Sequence, residues 1–323
     1  MGRNRIDSTT YIDTMKNINP TLELAPAITK AASKQTYYTI RLLADPDLTA
    51  DAYRAYAYFR WVDDLLDAES VSGVERSAFI RRQESILEMC YRGKLPRDAN
   101  IQEKMLVESI RNDREEKSGL QYYLRNMMAM MTFDTERRGR SISQTELTEY
   151  THLLAGAVTE AMHYFIGHGC YSPRNEARYM AVTAAHITHM LRDTFDDVQA
   201  GYYNIPREVL DANHITPTDV GSDAYRAWVR SRVQLARKYF RVGREYLHQV
   251  KNLRCRLAGF MYTARFEWLL DTIEREDYCL RPQYKERQSF GTGLWMSLNT
   301  LSSILNWRGN GLSPQTVPVQ KNY

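Results

Sequence analysis

AYRAYAYFRWVDDLLD, residues Ala52 to Asp67, spaces its apolar and aromatic side chains by three and four and closes in an acidic run. That period is helical. On a helix, Asp63 and Asp67 share one face with their side chains about 6 Å apart, Arg60 precedes them on that face, and Asp64 points about 100° away. LRDTFDD, residues Leu191 to Asp197, repeats the arrangement: Asp193 and Asp197 are four apart, with Arg192 beside them. One acidic pair on a helix is commonly a solvated face. Two matched pairs about 130 positions apart, each beside an arginine, are not expected by accident.

Outward from these motifs the chain keeps reading as helix. No proline falls between Pro96 and Pro173 or between Pro217 and Pro282. The apolar spacing predicts helices over about 24–43, 49–68, 74–93, 98–116, 119–133, 143–167, 173–200, 222–249, 252–279 and 286–305. Ser143 with Glu146 fits a capping box, Ser172 before Pro173 fits an N-cap with proline at the first helical position, and Thr49 can cap the helix after the Asp45-Pro46 turn. Strand-type alternation, Gly/Ser/Pro-rich linkers and repeats beyond the two motifs are absent, so the expected class is all-α. The polar, breaker-rich stretch 308–323 reads as a loose tail.

Composition narrows the function. The 323 residues carry 43 basic and 39 acidic side chains, a net charge of +4, which is too balanced for nucleic-acid binding. No apolar run nears the roughly 18 residues of a membrane span, and MGRNRIDSTTYIDTMK has no secretory apolar core. A cytoplasmic location is the expectation, with peripheral membrane contact where a lipid substrate is collected. Four cysteines, Cys90, Cys170, Cys255 and Cys279, are widely spaced without a CxxC, so free buried thiols are expected rather than a zinc site or disulfides. The 22 tyrosines are read as helix-packing residues ahead of a cavity lining. Oligomeric state is not legible.

The two aspartate pairs suit Mg2+, which prefers oxygen ligands and is commonly held by one or two carboxylates plus substrate phosphates. Such ions would neutralise a diphosphate and help it leave, and the neighbouring arginines suit phosphate oxygens because their planar donors bind bidentately.

Five segments resemble the squalene/phytoene synthase family: SKQTYYTIRLL (Ser33 to Leu43), AYRAYAYFRWVDDLLD, the Phe133 to Met162 segment with its Tyr-x4-Ala-Gly pattern at Tyr150, Ala155 and Gly156, HITHMLRDTFDDVQAGYYNIP (His186 to Pro206) and the segment ending LLDTIEREDY (Leu269 to Tyr278). The resemblance implies a single-domain isoprenoid-synthase-type bundle around a central cavity with the two aspartate helices facing across it. The catalytic domain would cover 21–307, after an N-terminal arm over 1–20. It further implies two or three Mg2+ ions held by Asp63, Asp67, Asp193 and Asp197, with Arg60, Arg192, Lys34 and Arg41 at the diphosphate. The implied reaction is ionisation of farnesyl or geranylgeranyl diphosphate and head-to-head condensation of two molecules. NADPH use is not legible, since no Gly-rich dinucleotide fingerprint is present and the family's reducing members lack one too.

This chain departs from the family at the steering positions. The family's Gln and Asn before the second Arg-Asp are His186 and His189, its Arg and Tyr in the following strip are Tyr202 and Asn204, and a C-terminal tyrosine is Phe266. His186, His189, Asp193 and Asp197 share one helical face, so His186 and His189 are candidate catalytic residues, His189 a candidate metal ligand, and Tyr202 and Phe266 candidate substrate contacts. Unperturbed imidazoles there would make activity pH-dependent between about 5.5 and 7.5. Three alternatives stand beside this reading: a class I terpene cyclase acting on one diphosphate, a non-catalytic assembly factor of the same fold, and a di-iron bundle using Glu160/His163 and Glu245/His248. The last lacks marked glutamates on two further helices.

Overall fold

The structure, a computed structural model, describes residues 19–68, 70–285, 300 and 302. Among these are eleven α-helices: α1 Thr21–Ala32, α2 Lys34–Leu43, α3 Thr49–Asp67, α4 Gly73–Tyr91, α5 Ile101–Asn112, α6 Gly119–Arg137, α7 Gln144–Phe165, α8 Ala177–Ala200, α9 Arg207–Asn213, α10 Asp223–Gln249 and α11 Leu253–Arg275. The all-α expectation holds; pairing of strand type among the described residues is limited to an isolated bridge between Ser141 and Tyr203. The expected arm over 1–18, most of the expected helix 286–305 and the tail 308–323 lie outside the described residues. The chain divides into two compact units, one ending at Glu116 and one starting at Lys117.

In the first unit α3 is the central element, packed on α1 and α5. Its buried residues include Ala55, Tyr58, Phe59, Val62 and Leu66. A buried polar network fixes its roll. Arg54 pairs with Asp51 at 2.7 Å and Glu108 at 3.0 Å, and its Nε donates to Thr21 Oγ1. The Tyr58 hydroxyl donates to Gln83 Oε1, and Gln83 donates to Glu103, which Arg82 also grips through two bonds of 2.7 and 2.9 Å. A buried guanidinium with its acceptors in place specifies one orientation of a helix more sharply than apolar contact alone.

In the second unit α8 is the hub, packed on α7, α10 and α11, while α6 packs on α7. Ala184, Ala185, Ile187 and Leu191 of α8 meet Val229, Val233, Ala236 and Phe240 of α10 and Leu269, Leu270 and Ile273 of α11 in one cluster. Met130, Ile142, Leu147, Tyr150 and Met190 form a second. Where α10 crosses α8, a Cβ on Gly243 would lie 2.5 Å from the Ala181 amide nitrogen. Backbone cannot yield there as a side chain can. Gly243→Ala is therefore expected to cost about 1–3 kcal/mol, measured as a lower urea midpoint at unchanged m-value.

Several local expectations are corrected. The helix expected over 24–43 breaks at Ser33, whose extended backbone and hydroxyl cap α2 by accepting from the Thr36 amide; a serine side chain offers the backbone that alternative to continuing. Ser172 does not cap α8, which starts at Ala177, because its Oγ instead accepts from Arg178 Nη1 at 2.6 Å. Thr49 is the first residue of α3 rather than its cap, and its hydroxyl donates back to Asp45 O. The Ser143/Glu146 capping box is present, as are boxes at Ser72/Glu75 and Asn100/Glu103 and the short helix α9, none of which were anticipated. The four thiols are free, but Cys170 and Cys279 are exposed rather than buried. No helix among the described residues is long and apolar enough to cross a membrane.

Candidate active site

The first aspartate motif occupies the last turns of α3. Val62 and Leu66 anchor it in the core, which turns Arg60, Asp63 and Asp67 outward. Arg60 pairs with Asp63 at 3.1 Å and reaches Asp64 as well, so it lies between the two rather than beside Asp63 alone. These three side chains are 41–54% accessible, and such exposed pairs hold loosely. Lys34 and Arg41 lie exposed on α2, with Arg41 Nη1 3.4 Å from the Tyr37 hydroxyl.

The second motif is built more tightly. On α8 the His189 Nε2 donates to Asp193 Oδ2 at 3.0 Å, and Arg192 grips both Asp193 oxygens. One turn on, Asp197 Oδ2 accepts from Asn204 Nδ2 at 2.7 Å. Asn204 Oδ1 accepts from Arg137 Nη1 at 2.8 Å, Arg137 Nε donates to Asp134 Oδ1 at 2.6 Å, and the Tyr150 hydroxyl donates to the other Asp134 oxygen at 2.9 Å. The Arg137 guanidinium lies over the rings of Tyr150 at 4.7 Å and Tyr202 at 5.1 Å. Tyr202 therefore clamps Arg137. The loop carrying Asn204 is fixed by Gly201, which ends α8 at φ 85° and accepts from the Gly139 amide at 2.8 Å; a β-carbon is strained in that left-handed conformation.

Electrostatics divide the aspartate pair. Burial alone would raise Asp193, but hydrogen bonds from His189 and Arg192 hold it well below the usual carboxylate range. Burial and then the Asp193 charge push Asp197 up to about 7. The histidines also move. Burial takes His186 well below its ordinary value, and burial lowers His189 despite its bond to Asp193. Burial thus favours the neutral form of both rings, which corrects the expectation of unperturbed imidazoles, and the carboxyl pushed toward neutrality is Asp197. His189 leaves 46% of its side chain accessible although the surrounding protein desolvates it. Phe266 is 3% exposed, with its ring 6.3 Å from His189 and 5.3 Å from the half-buried Tyr262 one turn earlier.

The Asp197 shift makes a linkage prediction. A carboxyl that ionises near pH 7 when folded and near 4 when unfolded costs stability as pH rises between those values, on the order of 4 kcal/mol by pH 8. Asp197→Asn removes the term, so the metal-free variant should melt above the parent at pH 8 and beside it at pH 4.5. Equal melting temperatures at both values would show that the Asp197 carboxyl is not strained.

The motif Glu160/His163 is structural. Arg178 grips Glu160 through bonds of 2.6 and 2.9 Å, and His163 Nε2 lies 3.1 Å from the Tyr246 hydroxyl. That geometry does not present the carboxylate to a metal. Among the described residues no three His, Cys, Asp or Glu side chains gather as a metal cluster; the fold offers carboxylate pairs.

A model of the squalene/phytoene synthase family matches residues 29–288, a span that takes in both aspartate motifs and the Arg137 network. The chain belongs to the squalene/phytoene synthase family. This is a family of prenyltransferases. The chain is 25% identical over 257 residues to phytoene synthase 3 of Zea mays, covering 76% of this chain and 57% of that protein, and 24% identical over 278 residues to the 15-cis-phytoene synthase of Synechocystis, covering 81% and 79%. It thus spans little more than half the length of the maize relative. Among solved structures, the squalene synthase HpnC of Alicyclobacillus acidocaldarius superposes with a TM-score of 0.64 at 19% identity, covering 81% of this chain and 96% of that one. A dehydrosqualene synthase in complex with ligand superposes with a TM-score of 0.63 at 17% identity, covering 90% and 98%. These likenesses support the isoprenoid-synthase-type all-α fold.

Proposed function

We propose that this chain ionises a prenyl diphosphate, farnesyl or geranylgeranyl, with Mg2+, and joins two such molecules head to head with release of diphosphate. The observation that carries the proposal is the divided pair on α8. Asp193 and Asp197 lie one turn apart, the first held by His189 and Arg192 and the second by Asn204, and the repulsion that raises Asp197 is one that a divalent cation at the pair would offset. Oxygen ligands four residues apart fit Mg2+, and Asp63 and Asp67 supply a second such pair. Bound there, Mg2+ would supply Lewis-acid neutralisation of the leaving diphosphate.

The chain's own residues do the rest. Asn204, held by Arg137, aims the Asp197 carboxylate. Arg192 and Arg60, now on aspartates, are the donors for diphosphate oxygens, with Lys34 and Arg41 as further cations. Tyr262 and Phe266 give an aromatic wall for a carbocation, next to His189, which in turn holds Asp193. Neutral imidazoles also favour a second reading, in which His186 or His189 takes a proton from the carbocation of a single cyclised substrate.

Product mass separates the two. Incubation with farnesyl or geranylgeranyl diphosphate and Mg2+ is expected to yield a product with twice the substrate's carbons. A product with the same number of carbons would replace condensation with cyclisation or quenching. NADPH dependence is read in the same assay, from whether the product is reduced when NADPH is added.

A further inference from the structure

At one corner of the second unit the loop between α7 and α8 meets the turn between α10 and α11. The two are locked together. Asn252 donates from Nδ2 to Cys170 Sγ at 3.6 Å and accepts at Oδ1 from the Cys255 amide at 3.0 Å. Below the loop, Arg178 donates to Ser172 Oγ at 2.6 Å and to the Tyr246 hydroxyl at 3.0 Å. Gly167 holds φ 81°, and a Cβ there would fall 2.4 Å from Asn252 Cγ. These contacts fix the chain on both sides of Tyr171.

The corner presents apolar side chains to solvent. Tyr171 is 68% exposed and Leu253 is 58% exposed. Leu257, half-buried, and Met261, 40% exposed, follow Leu253 along α11 at steps of four, which places the three on one side of the helix. Lys251 Nζ stands 5.6 Å from the centroid of the Tyr171 ring, within cation–π reach. Charge here has one sign. Residues 161–175 and 246–266, which build the corner, contain no Asp or Glu, and they carry Arg174, Lys251, Arg254, Arg256 and Arg265. A single exposed apolar side chain needs no explanation, but a ridge of them held in place among cations has the composition of an interfacial surface. Tyrosine suits that level, with its ring toward the acyl chains and its hydroxyl in water.

We propose that this corner docks the chain on an anionic lipid surface. Tyr171, Leu253 and Met261 enter the acyl boundary, and Lys251 and Arg174 meet the headgroup phosphates. A second copy of the chain fits less well, because two corners of like charge would face each other. The proposal does not depend on the reaction proposed above. The corner lies where α8 begins at Ala177, and Asp193 is about 24 Å further along that helix.

The test is co-sedimentation of the full chain, without substrate, with vesicles of phosphatidylcholine alone and of phosphatidylcholine with phosphatidylglycerol. Binding to the anionic vesicles is expected, weakening as salt rises. Tyr171→Ser and Leu253→Ser should each weaken it about tenfold through lost apolar burial, and Lys251→Glu about fivefold or more. Leu95→Ser, which removes a leucine 60% exposed in the first unit, should bind as wild type does. All four side chains are exposed, so each variant should keep the wild-type melting temperature, and weaker binding is then not unfolding. Absent binding, equal binding to both vesicle types, or undiminished binding by the three corner variants would overturn the proposal, as would an equal loss in Leu95→Ser. A wild-type dimer in light scattering that Leu253→Ser dissolves, without vesicle binding, would give the corner to a second copy instead. Each of these results leaves the proposed function standing.

Discussion

Asp193→Asn is expected to lower diphosphate release by about a thousandfold or more, or about 4 kcal/mol of transition-state stabilisation, because negative charge grows on the leaving group where this carboxylate would hold the neutralising ion. Asp67→Asn should act in the same direction. The structural effect should be small for Asp67, which is exposed. At Asp193 the variant loses charge-assisted bonds from His189 and Arg192, and a circular dichroism melt separates that effect from catalysis. Turnover within a few fold of wild type in both variants would remove the aspartates from the chemistry.

Arg137→Met should produce the largest loss of stability of any single change in the second unit. The side chain is 4% exposed, and its removal takes the charged partner from the Asp134 carboxylate and strands one oxygen of Asn204. Breaking a buried pair from one side costs about 3–5 kcal/mol. Replacing both partners, Asp134→Asn with Arg137→Met, should recover part of this, because no lone charge remains. Urea denaturation of the two variants measures the difference. Activity should fall in both, since Asn204 no longer has Arg137 to hold it against Asp197.

The elements that were readable in the sequence were those with long, uniform helical period. The bounds of α3, α7 and α10 follow from apolar spacing and from cap chemistry such as Ser143/Glu146. What escaped depended on partners distant in sequence. Ser172 looks like a cap until Arg178 competes for its hydroxyl, and α9 is too short to show a period. Of the candidate site residues, the two aspartate pairs were legible because their spacing repeats. Arg137 was not, although Asp134 and Arg137 are three apart near a helix end; its value comes from Asn204, 67 residues on. The protonation states were likewise hidden. A histidine pair in sequence suggests titration near 6.5, and only burial shows that the neutral form of both rings is favoured while Asp197 moves to about 7.

The central claim is ionisation of a prenyl diphosphate by metal bound at the aspartates. Its most direct test is pyrophosphate release from farnesyl and geranylgeranyl diphosphate as Mg2+ is titrated into chelator-treated protein. Release that is absent without Mg2+, saturates as Mg2+ is added and is lost in Asp193→Asn is the predicted result. Release that is independent of Mg2+, or absent at every Mg2+ concentration with both substrates, would contradict the account.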